Sequence, residues 1–332
     1  MTPSTRFDVT AIGNALVDVL SHEHDDFVVA HGLRRGAMVM ADAETSQALY
    51  EAMGPGTEMS GGSAANTVAG IASLGGTCAF VGKVADDQLG KVFTHDMRSL
   101  GVHFDTPPAP SADPATGRCL VIVTSDAQRT MSTYLGAADQ LGPDDVDEAT
   151  IAASDVVFVE GYLWDQPHAK DAIRRASELA HRHGRRVAFT LSDPFCVERH
   201  REEFLHLAEH EVDVLFANEV EIMSLYQVDT FDAALQNVRG HCEVAGLTRS
   251  EHGSVVVAGD DVHVIDPHPV EQVVDTTGAG DLYAAGFLYG LTHGHDLATC
   301  GRLGSMAAAE VISHIGARPA VSLAELAAPI LG

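Results

Sequence analysis

Short apolar segments alternate with helical patterns along nearly the whole chain. The apolar runs, which read as strands, cover residues 7–12, 79–81, 156–159, 187–191 and 214–217. The helical patterns cover residues 64–74, 89–100 and 169–183, and each is followed by glycine, the residue expected just past a helix C-terminus. Continuously apolar strands separated by helices predict parallel βαβ units. We therefore expect an α/β fold whose mostly parallel sheet is covered on both faces.

Two β-rich regions interrupt this alternation. Residues 118–124 and 129–135 read as a hairpin joined by a turn at 125–128, and residues 36–40 form a further β-like run. We interpret these runs as part of a small β-sheet lid that can cover a site, formed by segments of about 15–42 and 103–137. Residues 254–258 and 262–265 predict another hairpin. No internal repeat is visible, and we expect one domain over residues 1–332.

The composition limits the kind of partner. The chain has 332 residues and a formal net charge of −27, which disfavours binding to nucleic acid or to an anionic membrane surface. No stretch approaches the roughly 18 apolar residues of a membrane span, and the first residues do not resemble a signal peptide. Five dispersed cysteines without a CxxC pair favour reduced thiols. We expect a cytoplasmic protein that binds small molecules.

Two common nucleotide-binding motifs are absent from the sequence. The dipeptide Gly82-Lys83 lacks both the upstream glycine and the following Ser or Thr of a P-loop. The first strand is followed by Gly13-Asn14-Ala15-Leu16 rather than by a GxGxxG turn. A dehydrogenase of the Rossmann type is therefore disfavoured.

Residues 273–290, VVDTTGAGDLYAAGFLYG, provide a different solution for phosphate binding. The segment after Asp281 is apolar on nearly all sides, which predicts a buried helix. The first turn of a helix presents unpaired N–H groups and the positive end of the helix dipole. Gly278, Ala279 and Gly280 would let this backbone approach a phosphoryl group closely. Asp281 would then be the general base for an incoming hydroxyl, whereas without chemistry it would be an N-terminal helix aspartate.

A second group of polar residues lies near the N-terminus. Asp18 follows the first predicted strand, and a carboxylate that accepts two vicinal hydroxyls suits ribose. Asn14 and Asn66 offer both donors and acceptors, as sugar hydroxyls require. The alternative for Asp18 is an aspartate at a helix start, and for Asn66 a helix cap.

The DTTGAGD motif and the apolar helix after it resemble the C-terminal signature of the ribokinase-like (PfkB) carbohydrate and nucleoside kinases. The likeness covers essentially the whole chain and implies a ribokinase-like three-layer α/β/α sandwich with a lid. Further family-like motifs are GNALVD with Asp18, GGSAAN with Gly61, Gly62 and Asn66, NEVE with Asn218 and Glu221, and TRSEHG with Thr248 and Gly253. In the last motif, Ser250 replaces a glycine that the family usually has.

The resemblance implies roles for these residues. Asp18, Asn14, Asn66 and the two glycines would bind the acceptor, and Glu221 would order Mg²⁺ through water. The residues implied for the ATP site are Asn218, Thr248, Gly253, Thr277 and His314. Arg129 on the lid would contact the transferring phosphate, and Asp275 would help to hold a monovalent cation such as K⁺. Tyr162 and Leu163 would wall a purine base, whereas Trp164 reads as a core residue.

Within the family, the segments GNALVDVL, GGSAANT, LSDPF and AAAEVISHIGARP resemble bacterial adenosine kinases. The implied reaction is ATP- and Mg²⁺-dependent phosphorylation of the 5′-hydroxyl of a nucleoside, adenosine to AMP. Many adenosine kinases have Asn at the position of Thr277, so a sugar kinase acting on ribose, fructose or a keto-deoxy sugar acid stays open. A non-catalytic nucleoside-binding protein is the third alternative. The family contains both monomers and homodimers.

Overall fold

The structure is a computed structural model that describes residues 6–109, 114–124 and 128–332. Within these residues the strands are β1 (Phe7–Ile12), β2 (Leu16–His22), β3 (Met38–Met40), β4 (Thr57–Gly61), β5 (Cys78–Val81), β6 (Thr116–Val123), β7 (Arg129–Gly136), β8 (Ser154–Glu160), β9 (Arg186–Thr190), β10 (Val214–Asn218), β11 (Val244–Thr248), β12 (Ser254–Ala258) and β13 (Asp261–Ile265). The α-helices are α1 (Asp25–Ala30), α2 (Ala43–Ala52), α3 (Ser63–Ser73), α4 (Gln88–Ser99), α5 (Glu148–Ala152), α6 (Pro167–Arg182), α7 (Pro194–His210), α8 (Glu219–Tyr226), α9 (Phe231–Val238), α10 (Ala279–Thr292), α11 (Leu297–Val311) and α12 (Leu323–Leu331). None of these helices is both long and apolar enough to cross a membrane.

The larger sheet has eight strands in the order β13-β12-β11-β10-β9-β8-β1-β5. The pairs from β11 to β5 are parallel, whereas β12 and β13 are antiparallel. One hydrophobic cluster includes residues of α3, α10 and α11, and another includes residues of α6, α7 and α8. The helices therefore cover both faces of the sheet. The predicted α/β sandwich with a mostly parallel sheet is confirmed.

The helix boundaries follow from local capping chemistry. Asp87 precedes α4 and accepts the N–H of Gly90 at 2.8 Å, which satisfies one of the unpaired donors of the first turn. Pro167 begins α6, where its fixed φ costs no hydrogen bond. Gly101 and Gly184, at positive φ, follow the last turns of these helices. These residues stop the helices where the sequence pattern predicts.

The second sheet has five strands in the order β3-β7-β6-β2-β4. Strands β6 and β7 form the predicted hairpin, but three residues of its turn, 125–127, lie outside the described residues. Strand β4 also belongs to this sheet, although it lies outside the segments 15–42 and 103–137 that the sequence suggested. Its residues TEMSG carry one large apolar side chain, so no alternation marked it as a strand.

The side chains of the second sheet alternate between two faces. Val17 and Val19 point towards the large hydrophobic cluster that also contains residues of α1 and α2. Asp18 and Leu20 therefore point to the opposite face, together with Cys119 and Val121, their register partners on β6. We call this the inner face, because Arg129, on the same face, reaches the loop before α10.

Candidate active site

The anion-binding feature predicted from the GAG sequence lies at the start of α10. Gly278 caps the helix with φ 79°, and a Cβ at this position would lie 2.8 Å from the Cβ of Ala317. Gly280 has open space beside it, since a Cβ built there would meet no described residue within 4 Å apart from its chain neighbours and the backbone of its own helix. Among the described residues, no partner is seen for the backbone N–H groups of Gly280 and Asp281. These donors and the helix dipole form a site suited to a phosphoryl group.

Asp281 is held from two sides by α3. Its Oδ1 accepts a hydrogen bond from Ser63 Oγ at 2.6 Å, and its Oδ2 accepts one from Asn66 Nδ2 at 2.9 Å. Residues three apart lie on one side of a helix, which is why the GGSAANT segment can present both side chains to one carboxylate. Burial raises the pKa of Asp281, while these two hydrogen bonds and the charge of Arg318 lower it. The carboxylate is thus fixed in place at the start of α10.

Asp18 lies on β2, beside the glycine pair that precedes α3. A Cβ at Gly61 would lie 2.4 Å from the carboxylate of Asp18, and a Cβ at Gly62 would lie 2.2 Å from the carbonyl oxygen of Asn14. The positive φ of Gly62, 99°, also disfavours other residues there. The pKa of Asp18 is raised to about 6, because burial and the charge of Asp281 outweigh the lowering by Arg318 and Arg129. Glycine is thus required for this carboxylate to lie against the turn.

Glu160 was missed by the sequence reasoning. It ends β8 and is completely buried. Its Oε1 accepts the backbone N–H and the side-chain Nδ2 of Asn14 at 2.9 and 2.7 Å, and its Oε2 accepts the N–H of Ala64 at 2.7 Å. Asn14 is therefore fixed by Glu160 rather than by Asp18. A glutamate at the end of an apolar strand was the one available signal.

Because burial raises the pKa of Glu160 to about 7, its ionisation should affect stability. A raised carboxyl pKa means that the folded protein binds the proton more tightly, so stability present below about pH 4.5 is lost as the pH rises through 7. We expect the unfolding free energy of the wild type to fall relative to Glu160→Gln across this window, on the order of 2 kcal/mol. Urea denaturation at several pH values measures it. Glu178→Gln, an exposed position on α6, is the control and should track the wild type; a constant difference for Glu160→Gln would contradict the prediction.

Arg129 connects the second sheet to the loop before α10. Its Nη1 lies 2.5 Å from Asp275 Oδ2 and donates to Thr277 Oγ1 at 3.0 Å. Asp275 also accepts the N–H groups of Thr277 and Gly316, at 3.0 and 3.1 Å. Arg129 Nη2 is buried and has no partner among the described residues. The carboxylate expected to hold a monovalent cation therefore already has a guanidinium as its cation.

Asn218 and Glu221 form a capping box at the start of α8. The N–H of Glu221 donates to Asn218 Oδ1, and the N–H of Asn218 donates to Glu221 Oε2, both at 2.9 Å. The pKa of Glu221 is raised to about 7 by burial and by the nearby charges of Asp193 and Asp281, although the hydrogen bond from the backbone of Asn218 lowers it. The described residues contain no group of three or more His, Cys, Asp or Glu side chains placed to hold a metal. One buried carboxylate beside a phosphate site nevertheless fits Mg²⁺, which keeps several waters and binds through few protein ligands.

The segment after β11 keeps the backbone shape expected of a glycine-rich turn. Thr248 is the last residue of β11, and Gly253 has φ 76° and would clash with the carbonyl oxygen of Ile265 if it carried a Cβ. Ser250 has φ 50°, the left-handed region, although it is not glycine. The family's glycine has thus been replaced without loss of the turn, at a cost in backbone strain.

This strain predicts the effect of a substitution. Ser250→Gly should raise the free energy of unfolding by about 0.5–1 kcal/mol, because glycine adopts positive φ without steric cost. Urea denaturation measures the change. Ser99→Gly, at the exposed C-terminal end of α4, is the matched control and should destabilise the protein. A destabilised Ser250→Gly variant would show that the side chain matters more than the strain.

Tyr162 and Leu163, the residues expected to wall a purine base, differ in their surroundings. Tyr162 is near it, since the charges of Asp281 and Glu221 act on its hydroxyl, which donates to the carbonyl oxygen of Ser192 at 3.3 Å. Leu163 is 1 % exposed and packs with Trp164 in the hydrophobic cluster, and its role in a base pocket stays a prediction. Tyr162 and Leu163 both lie in a 3₁₀ helix, Gly161–Asp165. Its tight period directs successive side chains differently from a strand or an α-helix.

His314 and Arg318 lie in the segment between α11 and α12. Both ring nitrogens of His314 have partners, Glu310 Oε1 at 3.1 Å and the carbonyl oxygen of Ile315 at 3.2 Å. Arg318 was not assigned from the sequence, although it is part of the HIGARP segment. Its Nη1 donates to the carbonyl oxygen of Ala65 at 2.6 Å, which places its charge at the start of α3. No spacing rule points to such a contact over 253 residues.

Comparison with known proteins gives concordant results. A profile of the pfkB family of carbohydrate kinases matches residues 42–323. The crystal structure of a probable sugar kinase from Rhizobium etli is 50 % identical and covers 98 % of both chains, with a TM-score of 0.92. The crystal structure of adenosine kinase from Sinorhizobium meliloti is 53 % identical and covers 98 % of this chain and 99 % of that one, with a TM-score of 0.91. A 5-dehydro-2-deoxygluconokinase from Geobacillus thermodenitrificans is 28 % identical over 77 % of this chain and 79 % of its own.

These findings agree with the geometry. The helix start with free N–H groups, the fixed carboxylate beside it and the two sheets are the features expected of a phosphotransferase that acts on a hydroxyl group. The profile covers most of the chain, and two solved structures match it over almost their full length. The chain belongs to the pfkB family of carbohydrate kinases and is an ATP-dependent kinase with a hydroxyl group as acceptor.

Proposed function

We propose that this kinase transfers the γ-phosphoryl group of ATP to the 5′-hydroxyl of a nucleoside, with adenosine as the preferred acceptor and AMP as the product. The observation that carries the proposal is the apolar character of the inner face of the second sheet. Beside Asp18, this face presents a cluster of buried or partly buried side chains: Leu20, Cys119, Val121, Val123 and Met131. An apolar surface next to a carboxylate suits a ligand with a flat base and a diol.

The register of the second sheet supports this division. Asp18 pairs with Cys119, Leu20 pairs with Val121, and Val121 pairs with Met131. The carboxylate and the apolar side chains therefore form adjacent rows of one face. A free sugar has hydroxyls on all sides and would leave this apolar row without a complementary partner. Similarity to an adenosine kinase at 53 % identity points in the same direction.

In the proposed mechanism, the acceptor is held from one side and deprotonated from the other. Asp18 accepts hydrogen bonds from the ribose hydroxyls, and Asn66 Oδ1, buried and without a partner among the described residues, accepts another. Asp281 takes the proton of the 5′-hydroxyl as that oxygen attacks the γ-phosphorus in line with the leaving ADP oxygen. The N–H groups of Gly280 and Asp281 stabilise the charge on the transferring phosphoryl group.

The remaining contacts involve the phosphates of ATP. Arg129 Nη2, buried and unpartnered among the described residues, would donate to a phosphate oxygen, a contact that a planar guanidinium makes well. Asn218, Thr248, Gly253, Thr277 and His314 would line the nucleotide. Mg²⁺, when bound, neutralises phosphate charge, and Glu221 would hold it through water. These assignments rest on position and family resemblance.

A sugar kinase is the second candidate function. It is favoured by the similarity to a probable sugar kinase and to a 5-dehydro-2-deoxygluconokinase, and by Thr277 in the DTTGAGD motif. ATP consumption measured with adenosine, other nucleosides, ribose, fructose and a keto-deoxy sugar acid separates the two. We expect turnover with adenosine and none with 5′-deoxyadenosine, which lacks the acceptor. Turnover with sugars alone would overturn the proposal, and binding of adenosine without turnover would favour a non-catalytic binding protein.

Three further properties belong to this proposal. We propose a cytoplasmic enzyme whose partners are the acceptor and ATP, with no nucleic-acid partner because its net charge is −27. Its assembly is a monomer or a homodimer, which sedimentation would distinguish. A K⁺ ion at Asp275 would have to share that carboxylate with Arg129 Nη1. Activity in KCl compared with choline chloride at equal ionic strength tests for the cation.

A further inference from the structure

Arg318 fixes the turn that leads into α3. Its Nε donates to the carbonyl oxygen of Ser60 and its Nη2 to Ser60 Oγ, both at 3.1 Å, while Nη1 donates to the carbonyl oxygen of Ala65 at 2.6 Å. Ser60 is the second-to-last residue of β4, and Ala65 is in the first turn of α3. The guanidinium thus spans the glycine pair and Ser63, which lie between these two attachment points.

The segment that carries Arg318 is itself held on both sides. The N–H of Gly316 donates to Asp275 Oδ2 at 3.1 Å. The N–H groups of Ala320 and Val321 donate to Glu310 Oε1 at 2.8 and 3.2 Å. Because both flanks are fixed, the guanidinium has little freedom to leave the turn.

The charge of Arg318 is not used in a direct ion pair among the described residues. The oxygens that accept its hydrogen bonds are two backbone carbonyls and a serine hydroxyl, all neutral. Burial lowers its pKa to about 10, while the charges of Asp18, Asp281 and Asp96 raise it. Conversely, the charge of Arg318 lowers the pKa of both Asp18 and Asp281. One cation thus acts on the two carboxylates proposed to bind and to deprotonate the acceptor.

We propose that Arg318 is a positioning residue of the acceptor site, which holds the turn presenting Ser63 and Asn66 to Asp281 and keeps Asp18 and Asp281 negatively charged together. Two carboxylates close to each other repel, and burial favours their neutral forms. A neutral Asp281 could not accept the proton of the acceptor, and a neutral Asp18 would bind hydroxyls more weakly. The inference rests on the proposed role of Asp281 as the base.

Other ionisable groups face this cluster and have to be separated from Arg318 in a test. They are Cys119 from β6, Arg129 from β7, Glu160 from β8, Glu221 from α8 and Asp96 from α4. Arg129 also carries a positive charge, but it is paired directly with Asp275. Among the described residues, Arg318 is the cation whose charge acts on both Asp18 and Asp281, whereas that of Arg129 acts on Asp18.

The test is the pH dependence of kcat/KM between pH 5.5 and 9, with MgATP and the acceptor that gives turnover in the panel above. In Arg318→Gln, which keeps hydrogen-bond donors but loses the charge, we expect kcat/KM at pH 6 to fall at least tenfold more than at pH 8.5. Arg318→Lys keeps the charge and should lose activity by a similar factor at every pH. Arg302→Gln, an exposed position on α11, is the control and should match the wild type.

Equal losses at pH 6 and pH 8.5 in Arg318→Gln would overturn the electrostatic role and leave Arg318 as a structural residue. If Arg318→Gln does not fold, the wild-type profile decides, since kcat/KM should stay near its maximum down to about pH 6.5 when both aspartates are charged. If kcat/KM of the wild type already begins to fall at a pH above 7.5 as the pH is lowered, the inference is contradicted. Failure of the base assignment is distinguishable, because it would show as turnover in Asp281→Asn.

Discussion

Asp281→Asn is expected to lower kcat by roughly three powers of ten while changing the Kd of the acceptor by no more than about threefold. The asparagine has nearly the same shape and can still accept the hydrogen bond from Ser63 Oγ, but it cannot take a proton. The carboxylate lies next to the free N–H groups at the start of α10, so the loss should fall on the chemical step. Steady-state kinetics and calorimetry, performed on the same preparation, measure the two quantities.

The control for this variant is Asp171→Asn, an exposed position on α6 that should leave both quantities unchanged. Near-normal turnover in Asp281→Asn would remove the general-base role. Catalysis would then depend on positioning and on the phosphoryl-binding N–H groups alone, which is physically possible for phosphoryl transfer. A large increase in Kd instead would mean that the carboxylate binds the acceptor rather than activating it.

Asp18→Ala should lower kcat/KM for adenosine by about 10²–10³-fold. The carboxylate is proposed to accept two hydrogen bonds from the ribose, and charge-assisted hydrogen bonds contribute about 1.5–3 kcal/mol each. The decisive comparison uses 2′-deoxyadenosine and 3′-deoxyadenosine, which lack one hydroxyl each. In the wild type, removal of a hydroxyl that Asp18 binds should cost about tenfold or more in kcat/KM.

In Asp18→Ala, the same removal should cost almost nothing, because the partner of that hydroxyl is already gone. Unchanged discrimination against both deoxynucleosides in Asp18→Ala would contradict the assignment and indicate that Asp18 acts through another group. The substitution should be tolerated, because the carboxylate of Asp18 packs closely against Gly61. Replacing Asp18 with alanine only removes atoms from this contact and creates no clash. The variant should therefore fold as the wild type does.

The overall fold could be predicted because its determinants are local. Strands β1, β8, β9 and β10 are nearly continuous apolar runs, as expected for a parallel sheet covered on both faces. Glycine at positive φ marks helix ends such as Gly184. Strand β4 was missed since it pairs through its backbone and shows no side-chain alternation.

The candidate site was predictable only in part, for a similar reason. Asp18, Asp281 and the glycine-rich helix start lie in short motifs whose chemistry can be read from neighbouring residues. Glu160 and Arg318 act through contacts over 146 and 258 residues along the chain, which no local spacing reveals. The role of Leu163 stays a prediction, because the direction of a side chain in a 3₁₀ turn depends on tertiary packing rather than on a local pattern.

The identity of the product decides whether this kinase phosphorylates adenosine. The enzyme would be incubated with MgATP and adenosine, and the products analysed by ³¹P NMR with proton coupling. We predict a new phosphomonoester resonance that is split by the two 5′-methylene protons, together with ADP in equal amount, and no such resonance with 5′-deoxyadenosine. Absence of any phosphorylated nucleoside, with formation of a sugar phosphate from a free sugar under the same conditions, would show that the acceptor is a sugar and not adenosine.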